Sequence, residues 1–255
     1  MGWAAAAISV AFFLMLVLAG LAIERLAPAQ RQPLAASRFN LGYTAVYMLA
    51  QSAIVPVISV LTVYIVNTLG GGWIALAASG WRFAASLALY ALSVDFLEYL
   101  FHRAQHRFPA LWAMHSLHHS DTAMNASTTN RHYWAEHGIK MLTIYLAIGL
   151  VYKTPPDILA GYALLSYYNV FLHMNIRVGY GRGNYLLNSP QFHRIHHSVL
   201  PQHFDCNFAA LFPVFDLVFG TYRAPAPAEY PPTGIDTGRQ PQDLLDAVLW
   251  PLRGN

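Results

Sequence analysis

Twelve histidines occur in the 255-residue chain, and most of them fall into short sets with regular spacing. His102 and His106 form H-R-x-x-H. His115, His118 and His119 form H-x-x-H-H, a pattern that His193, His196 and His197 repeat. His173 stands between the two longer sets, near the end of an apolar segment. Residues three or four apart lie on one face of a helix, so each set is expected to present its imidazoles in one direction. Neutral imidazole is a common nitrogen ligand for iron, zinc and copper. Eight or nine such ligands exceed what one first-row metal takes, which points to two ions. His132, His137 and His203 are expected at surface, supporting or interfacial positions.

Upstream, Asp95 and Glu98 are spaced to share a helix face with His102 and His106. Carboxylates inside an apolar helix are costly and tend to have a task. Metal-bound imidazoles commonly donate their other N–H to a carboxylate, and this is the role expected of Asp95 and Glu98.

The elements that must hold these side chains are membrane elements. Hydrophobic residues make up 56% of the chain and charged residues 11%, against about a quarter charged in soluble proteins. No charge occurs from Trp3 to Ile23 or from Phe39 to Trp81. About 20 apolar residues cross a hydrocarbon core. Spans are therefore expected over 3–23, 41–67 and 83–101, with a turn at Gly70–Gly72 between the last two. The first run is too long and lacks the basic start of a signal peptide, so it is read as a retained span. Residues 140–152 and 158–175, joined by the breakers Pro155 and Pro156, are expected to form a helical hairpin that penetrates only part-way. Residues 224–255 read as a Pro-rich, mostly irregular tail with a short helix near 243–249. The fold class is thus an all-α integral membrane bundle of about three spans plus a hairpin, with a histidine-rich cap. The expected units are 1–89 (spans), 90–222 (catalytic) and 223–255 (tail).

All but Arg82 and Lys153 of the 15 basic residues fall on one side of this arrangement, the side that carries the histidines. The positive-inside rule makes that side cytoplasmic, and a bacterial cell membrane is the expected location. A basic membrane-facing surface accounts for the net charge of +3. No stripe of Lys and Arg interleaved with aromatics suggests nucleic acid. Cys206 is the only cysteine, which excludes a disulfide framework and cysteine-held clusters. The chain has no H-E-x-x-H, as a metallohydrolase would want. A metal carrier would place its ligands at mid-membrane rather than beyond the ends of spans.

Over roughly residues 90–222 the chain resembles the fatty acid hydroxylase/sterol desaturase superfamily. The resemblance rests on D-x-x-E-Y-x-x-H-R-x-x-H at Asp95–His106, W-x-x-H-S-x-H-H-S at Trp112–Ser120 and N-A-S-T-T-N-R at Asn125–Arg131. It continues in H-x-N at His173–Asn175, P-x-F-H-R-I-H-H-S at Pro190–Ser198 and D-x-x-F-G-T-Y at Asp216–Tyr222. It implies two irons, replaceable by zinc during expression, held by His102, His106, His115, His118, His119, His173, His193, His196 and His197. It also implies O₂-dependent hydroxylation or desaturation of an unactivated C–H bond in a fatty acyl, sterol or carotenoid-like lipid. Two departures stand out. The family's R-x-H-P-x-E reads Arg131-His132-Tyr133-Trp134-Ala135-Glu136, and its D-x-N-Y-G reads Asp205-Cys206-Asn207-Phe208-Ala209. Asp205 and Asn207 are expected to support metal-bound imidazoles. With no G-x-G-x-x-G and no cysteine set, electrons are expected from an external ferredoxin or cytochrome with its reductase. Arg103, Arg107, Arg194 and Arg223 would form its docking face or, equally, bind anionic lipid head groups.

Overall fold

Helix α1 runs from Trp3 to Leu26 and α2 from Leu34 to Thr68 in the computed structural model, which describes residues 3–253. Helix α3 covers Trp81–Arg107. Among the described residues these three are the helices long and apolar enough to cross a membrane. In hydrocarbon a helix satisfies every backbone group within the segment, so charge-free runs settle into long helices, and α2 carries Pro56 within it.

The hairpin reaches further than its sequence suggests. Its first arm begins at Glu136, ahead of the expected start, as α5 (Glu136–Lys140), a π turn (Met141–Tyr145) and α6 (Leu146–Val151). The second arm is α7 (Pro156–Ser166) followed by α8 (Tyr168–Leu172). Between the arms, β2 (Tyr152–Lys153) pairs in parallel with β1 (Ile74–Ala75), just beyond α2. The Gly72 amide donates to the Leu150 carbonyl at 2.9 Å. A Cβ at Gly71 would lie 2.9 Å from the Leu150 Cα, so this close approach requires glycine. The apex of the hairpin thus lies beside the Gly70–Gly72 turn, at the far end of α2 from the histidines. Sixteen helical residues cover about 24 Å, enough for that reach. Leu76, Tyr90, Val94, Ile144, Ile148, Tyr152 and Ile158 form the core at this end. Trp73 and Trp81 are exposed, whereas Tyr152 is buried with its hydroxyl on Ser93.

The opposite end carries the cap. It consists of α4 (Pro109–His119), α9 (Pro190–His196), α10 (Val214–Phe219), α11 (Leu244–Val248) and connecting loops. Spans and cap are joined by buried polar contacts. The Glu24 carboxylate near the end of α1 accepts the amides of Ala126 and Asn175, both at 2.8 Å. Asn40 on α2 donates to Asp121 and Ser127. Asp121 in turn lies beside Arg131 and accepts from Thr128. The N-A-S-T-T-N-R stretch therefore ties the cap to α1 and α2. The tail is less loose than its prolines suggest. Trp250 is fully buried and donates to Ser116 on α4, and Asp243 caps α11 by accepting the Asp246 amide.

Candidate metal centre

Nine histidines converge where four helices end. His102 and His106 occupy the last turns of α3; His115, His118 and His119 end α4; His173 follows α8; His193 and His196 end α9, and His197 caps it. Helix C-termini carry partial negative charge, so all four contribute a potential that favours cations.

The boxes do not each face one way, as their spacing suggests. They divide. One group holds His102, His106, His115, His119 and His196; the other holds His118, His173, His193 and His197, with candidate ligand atoms in each group within 4.8 Å of one another. Each H-x-x-H-H box sends its first and last histidines to one group and its middle one to the other. Successive residues on a helix are rotated by about 100°, so His118 and His119 necessarily point apart. The groups touch where His119 stacks on His197, with centroids 4.3 Å apart.

In the four-histidine group, Nε2 of His173 lies 3.2 Å from Nε2 of both His118 and His193, and Nε2 of His197 lies 3.2 Å from that of His193. Four imidazole nitrogens about 2.0–2.1 Å from a tetrahedral ion stand about 3.3–3.4 Å apart, so the set has the dimensions of a metal site. In the five-histidine group the outer nitrogens of three rings are occupied. His102 Nδ1 meets the Phe208 carbonyl at 2.8 Å, His196 Nδ1 the Cys206 carbonyl at 2.8 Å, and His115 Nδ1 the Glu136 carboxylate at 3.2 Å. An Nδ1–H so engaged leaves the Nε2 lone pair free to bind. The buried Nε2 atoms of His102, His115 and His196 have no hydrogen-bond partner. Orphaned buried acceptors are costly, and a bound cation would satisfy them.

Burial, with smaller contributions from neighbouring imidazoles, holds His118, His119, His193 and His197 well below the ordinary imidazole pKa. His196 falls to about 3, chiefly through burial. The cluster is therefore neutral at pH 7, the form that binds metal.

The supporting residues differ from those expected. Asp95 does not reach an imidazole; it accepts the amides of Leu211 and Phe212 and so pins the loop after Phe208. Glu98 pairs with Lys140 at 2.6 Å instead of with a histidine. Their helix face is right, but backbone amides and a lysine arrive from distant segments and take the carboxylates. Asp205 lies 3.9 Å from His106 and is largely exposed. Asn207 bonds the Phe192 and Arg223 backbone rather than an imidazole. Asp205 and Asn207 both have positive φ (56° and 58°), and the loop they shape turns the Cys206 and Phe208 carbonyls toward His196 and His102. Asp216 steadies this loop by accepting the amides of Phe208 and Ala209.

The buried carboxylate that does reach an imidazole is Glu136. Burial would raise its pKa, but His115 and His132 hold it below the usual carboxylate range. Gln105 also donates to it at 2.6 Å. His132 lies flat on His118, with centroids 4.0 Å apart. Its i,i+4 spacing to Glu136 was the available sequence signal. His203 is buried between Ser198 and Glu229, away from both groups. Arg194 is no surface group; it is buried against Pro231, Tyr230 and Gln30. Arg223 is engaged with Glu229, while Arg103 and Arg107 are exposed.

Two openings meet the cluster. A cavity of about 240 Å³ on the cap side is lined by His106, Trp112, His119, His196, Asp205 and Asp236. A chamber of about 340 Å³ on the span side is lined by His102, His115, His118, His173 and His193, together with residues of the membrane helices.

Residues 87–221 match the fatty acid hydroxylase family. Alkylglycerol monooxygenase of Danio rerio is 32% identical over 143 residues, covering 56% of this chain and 31% of that protein. The Homo sapiens alkylglycerol monooxygenase is 31% identical over 135 residues, covering 52% and 29%. Protein CER1-like 1 of Arabidopsis thaliana is 29% identical over 160 residues, covering 55% and 24%. The chain spans less than a third of the length of these curated relatives. No solved structure matches.

Proposed function

The chain belongs to the fatty acid hydroxylase family, and from that premise we propose that it oxidises an unactivated C–H bond of a membrane lipid with O₂ at a pair of irons. The observation that carries this reading is the division of nine histidines, seven buried and two half-buried, into two touching groups of metal-site dimensions. His102, His106, His115, His119 and His196 hold one ion, and His118, His173, His193 and His197 hold the other. Iron supplies reductive O₂ activation and an oxidant able to break a C–H bond.

The residues of the chain do the rest. The Phe208 and Cys206 carbonyls and Glu136 fix the tautomer and ring orientation of His102, His196 and His115. The chamber on the span side places a lipid carbon beside both groups and keeps bulk water away from it. Hydroxylation is favoured over desaturation, because monooxygenases are prominent among the relatives. The aldehyde decarbonylase of Oryza sativa subsp. japonica, 28% identical over 147 residues, supports a second reading in which a long-chain aldehyde is the substrate.

Electrons come from outside the described residues, whose single cysteine holds no cluster. Exposed Arg103 and Arg107 offer an acidic carrier a docking point whose attraction weakens with salt. The histidine end faces the cytoplasm, by the bias of basic residues. Reporter fusions after Arg31 and Arg107 should report the cytoplasm, and one at Gly71 the opposite side; the reverse pattern would invert the orientation. The activity is tested in liposomes with lipid, NADPH, ferredoxin and its reductase. Oxidised lipid should form only with O₂ and the carrier, and product that persisted under argon would sink the reading.

A further inference from the structure

Iron reaches its ligands from water, and the two openings onto the histidines differ in what they offer an ion. The span-side chamber is walled by Phe13, Tyr162 and Val170 of the membrane helices. An ion arriving from that side first has to leave water for hydrocarbon, a very costly step. The cap cavity opens instead at Phe204, Asp205 and Asp236, all exposed. The chain beside this mouth is polar and exposed as well, at Gln202 and Thr237. Its volume of about 240 Å³ admits a divalent ion with six waters, at about 30 Å³ per water.

The charge of this cavity suits a cation. No lysine or arginine is among its described lining residues, and Arg103 and Arg107 stand in a neighbouring recess that borders Asp205. The Asp205 carboxylate lies 3.9 Å from Nδ1 of His106, whose Nε2 lies 3.2 Å from Nε2 of His119. An exposed carboxylate is thus followed by a half-buried imidazole and then by a buried one. His196, which is only 5% exposed, also lines the cavity. Its Nδ1 meets the Cys206 carbonyl, and its Nε2 has no partner. A buried acceptor left open beside a carboxylate-rimmed cavity is satisfied by an incoming cation. Carboxylate oxygens hold divalent ions together with their water, whereas imidazole nitrogen suits iron, so affinity rises inward.

We infer that Asp205 and Asp236 form the metal-loading port of the centre, through which divalent iron enters the cap cavity and fills the five-histidine group first. No ring of the four-histidine group is among the described lining of this cavity. That group meets the cavity through His119, which stacks on His197, and so it fills second. This rests on the two-iron reading and adds the route and order by which the ions arrive. The port carboxylates lie on the path and belong to neither histidine group. They set the rate at which iron exchanges, not the amount the chain holds.

The test uses the iron-loaded full chain in nanodiscs, given free ferrous iron enriched in the Mössbauer-active isotope, without oxygen. Incoming iron should appear in the spectrum of the five-histidine group before that of the other. Asp205→Asn combined with Asp236→Asn should slow this exchange about tenfold at low salt, within the range of electrostatic steering. Total iron should stay at the native level, and the difference in rate should shrink as salt is raised. Phe204→Cys gives a second readout on one folded protein. Its exposed thiol takes a sulfonate-bearing or a trimethylammonium-bearing reagent of similar size, while the native Cys206 is buried. The negative adduct should speed exchange and the positive adduct slow it, an opposition that misfolding does not produce. Equal exchange in the native chain and the double variant, or a change in the same direction with both adducts, would overturn the port. So would incoming iron that appears first in the four-histidine group, or a native chain that exchanges none. The same samples are assayed for lipid oxidation. Oxidation with exchange indifferent to Asp205 and Asp236 would remove the port and keep the activity. Exchange that follows the port, with no oxidation under O₂ and reductant, would keep the port and remove the activity.

Discussion

The two histidine groups are held by different means. In the five-histidine group, partners outside the cluster fix three of the rings: two backbone carbonyls of the 205–208 loop hold His102 and His196, and the Glu136 carboxylate holds His115. In the four-histidine group only His173 has such a partner, the Asn169 carbonyl at 2.7 Å, while Nδ1 of His118 and His193 have none. Those rings are set by packing against one another and by His132 lying on His118. One group is therefore braced by its scaffold and the other by mutual contact. Damage to a supporting residue should remain local to the first group, whereas damage to one ring should spread through the second.

The comparison is broken most severely at His193, whose Nε2 lies 3.2 Å from those of both His173 and His197. His193→Ala should abolish oxidation, a larger loss than the roughly 10- to 100-fold typical of outer partners. Iron spectroscopy should show the four-histidine signal gone while the other persists. Glu136→Gln probes the braced group. It should cost about 10- to 100-fold in metal affinity there, with the four-histidine group unchanged in the same spectra. Equal loss from both groups would erase the distinction.

A pH titration of the metal-free protein follows with a smaller effect. Unfolded imidazoles take up protons below about 6.5, while His196 in the folded chain does so only near 3. The unfolded state thus binds more protons in this window. Stability should be full above pH 6.5 and fall as pH drops toward 3, read as a declining melting temperature. A flat profile would mean that the rings are not buried neutral. The smallest effect is expected remote from both groups. Asn40→Ala removes three buried hydrogen bonds and should cost about 1–3 kcal/mol, measured by denaturant unfolding, with metal content unchanged.

Much of this site is legible from local spacing. The boxes, the long spans and the cap helix near 243–249 follow from patterns a few residues long. The division of the boxes depends on which distant rings meet: His196 joins His102 across 94 positions, a pairing that no periodicity encodes. Backbone carbonyls leave no signature in the side chains, so the roles of Cys206 and Phe208 were hidden behind Asp205 and Asn207, whose contribution is backbone shape. Asp95 and Glu98 show the converse. Their place on the helix was readable, but their partners, the 211–212 amides and Lys140, come from other segments. The hairpin's reach was also hidden, because a π turn and a two-residue strand pair extend an arm that looks short.

Counting metal in protein purified without oxygen tests the central claim most directly. The native chain should hold two irons. His118→Ala should retain the ion of the five-histidine group, and His196→Ala that of the four-histidine group, each with close to one iron per chain and a spectrum distinct from the other's. A single iron in the native protein, or both irons retained in both variants, would contradict the two-group centre.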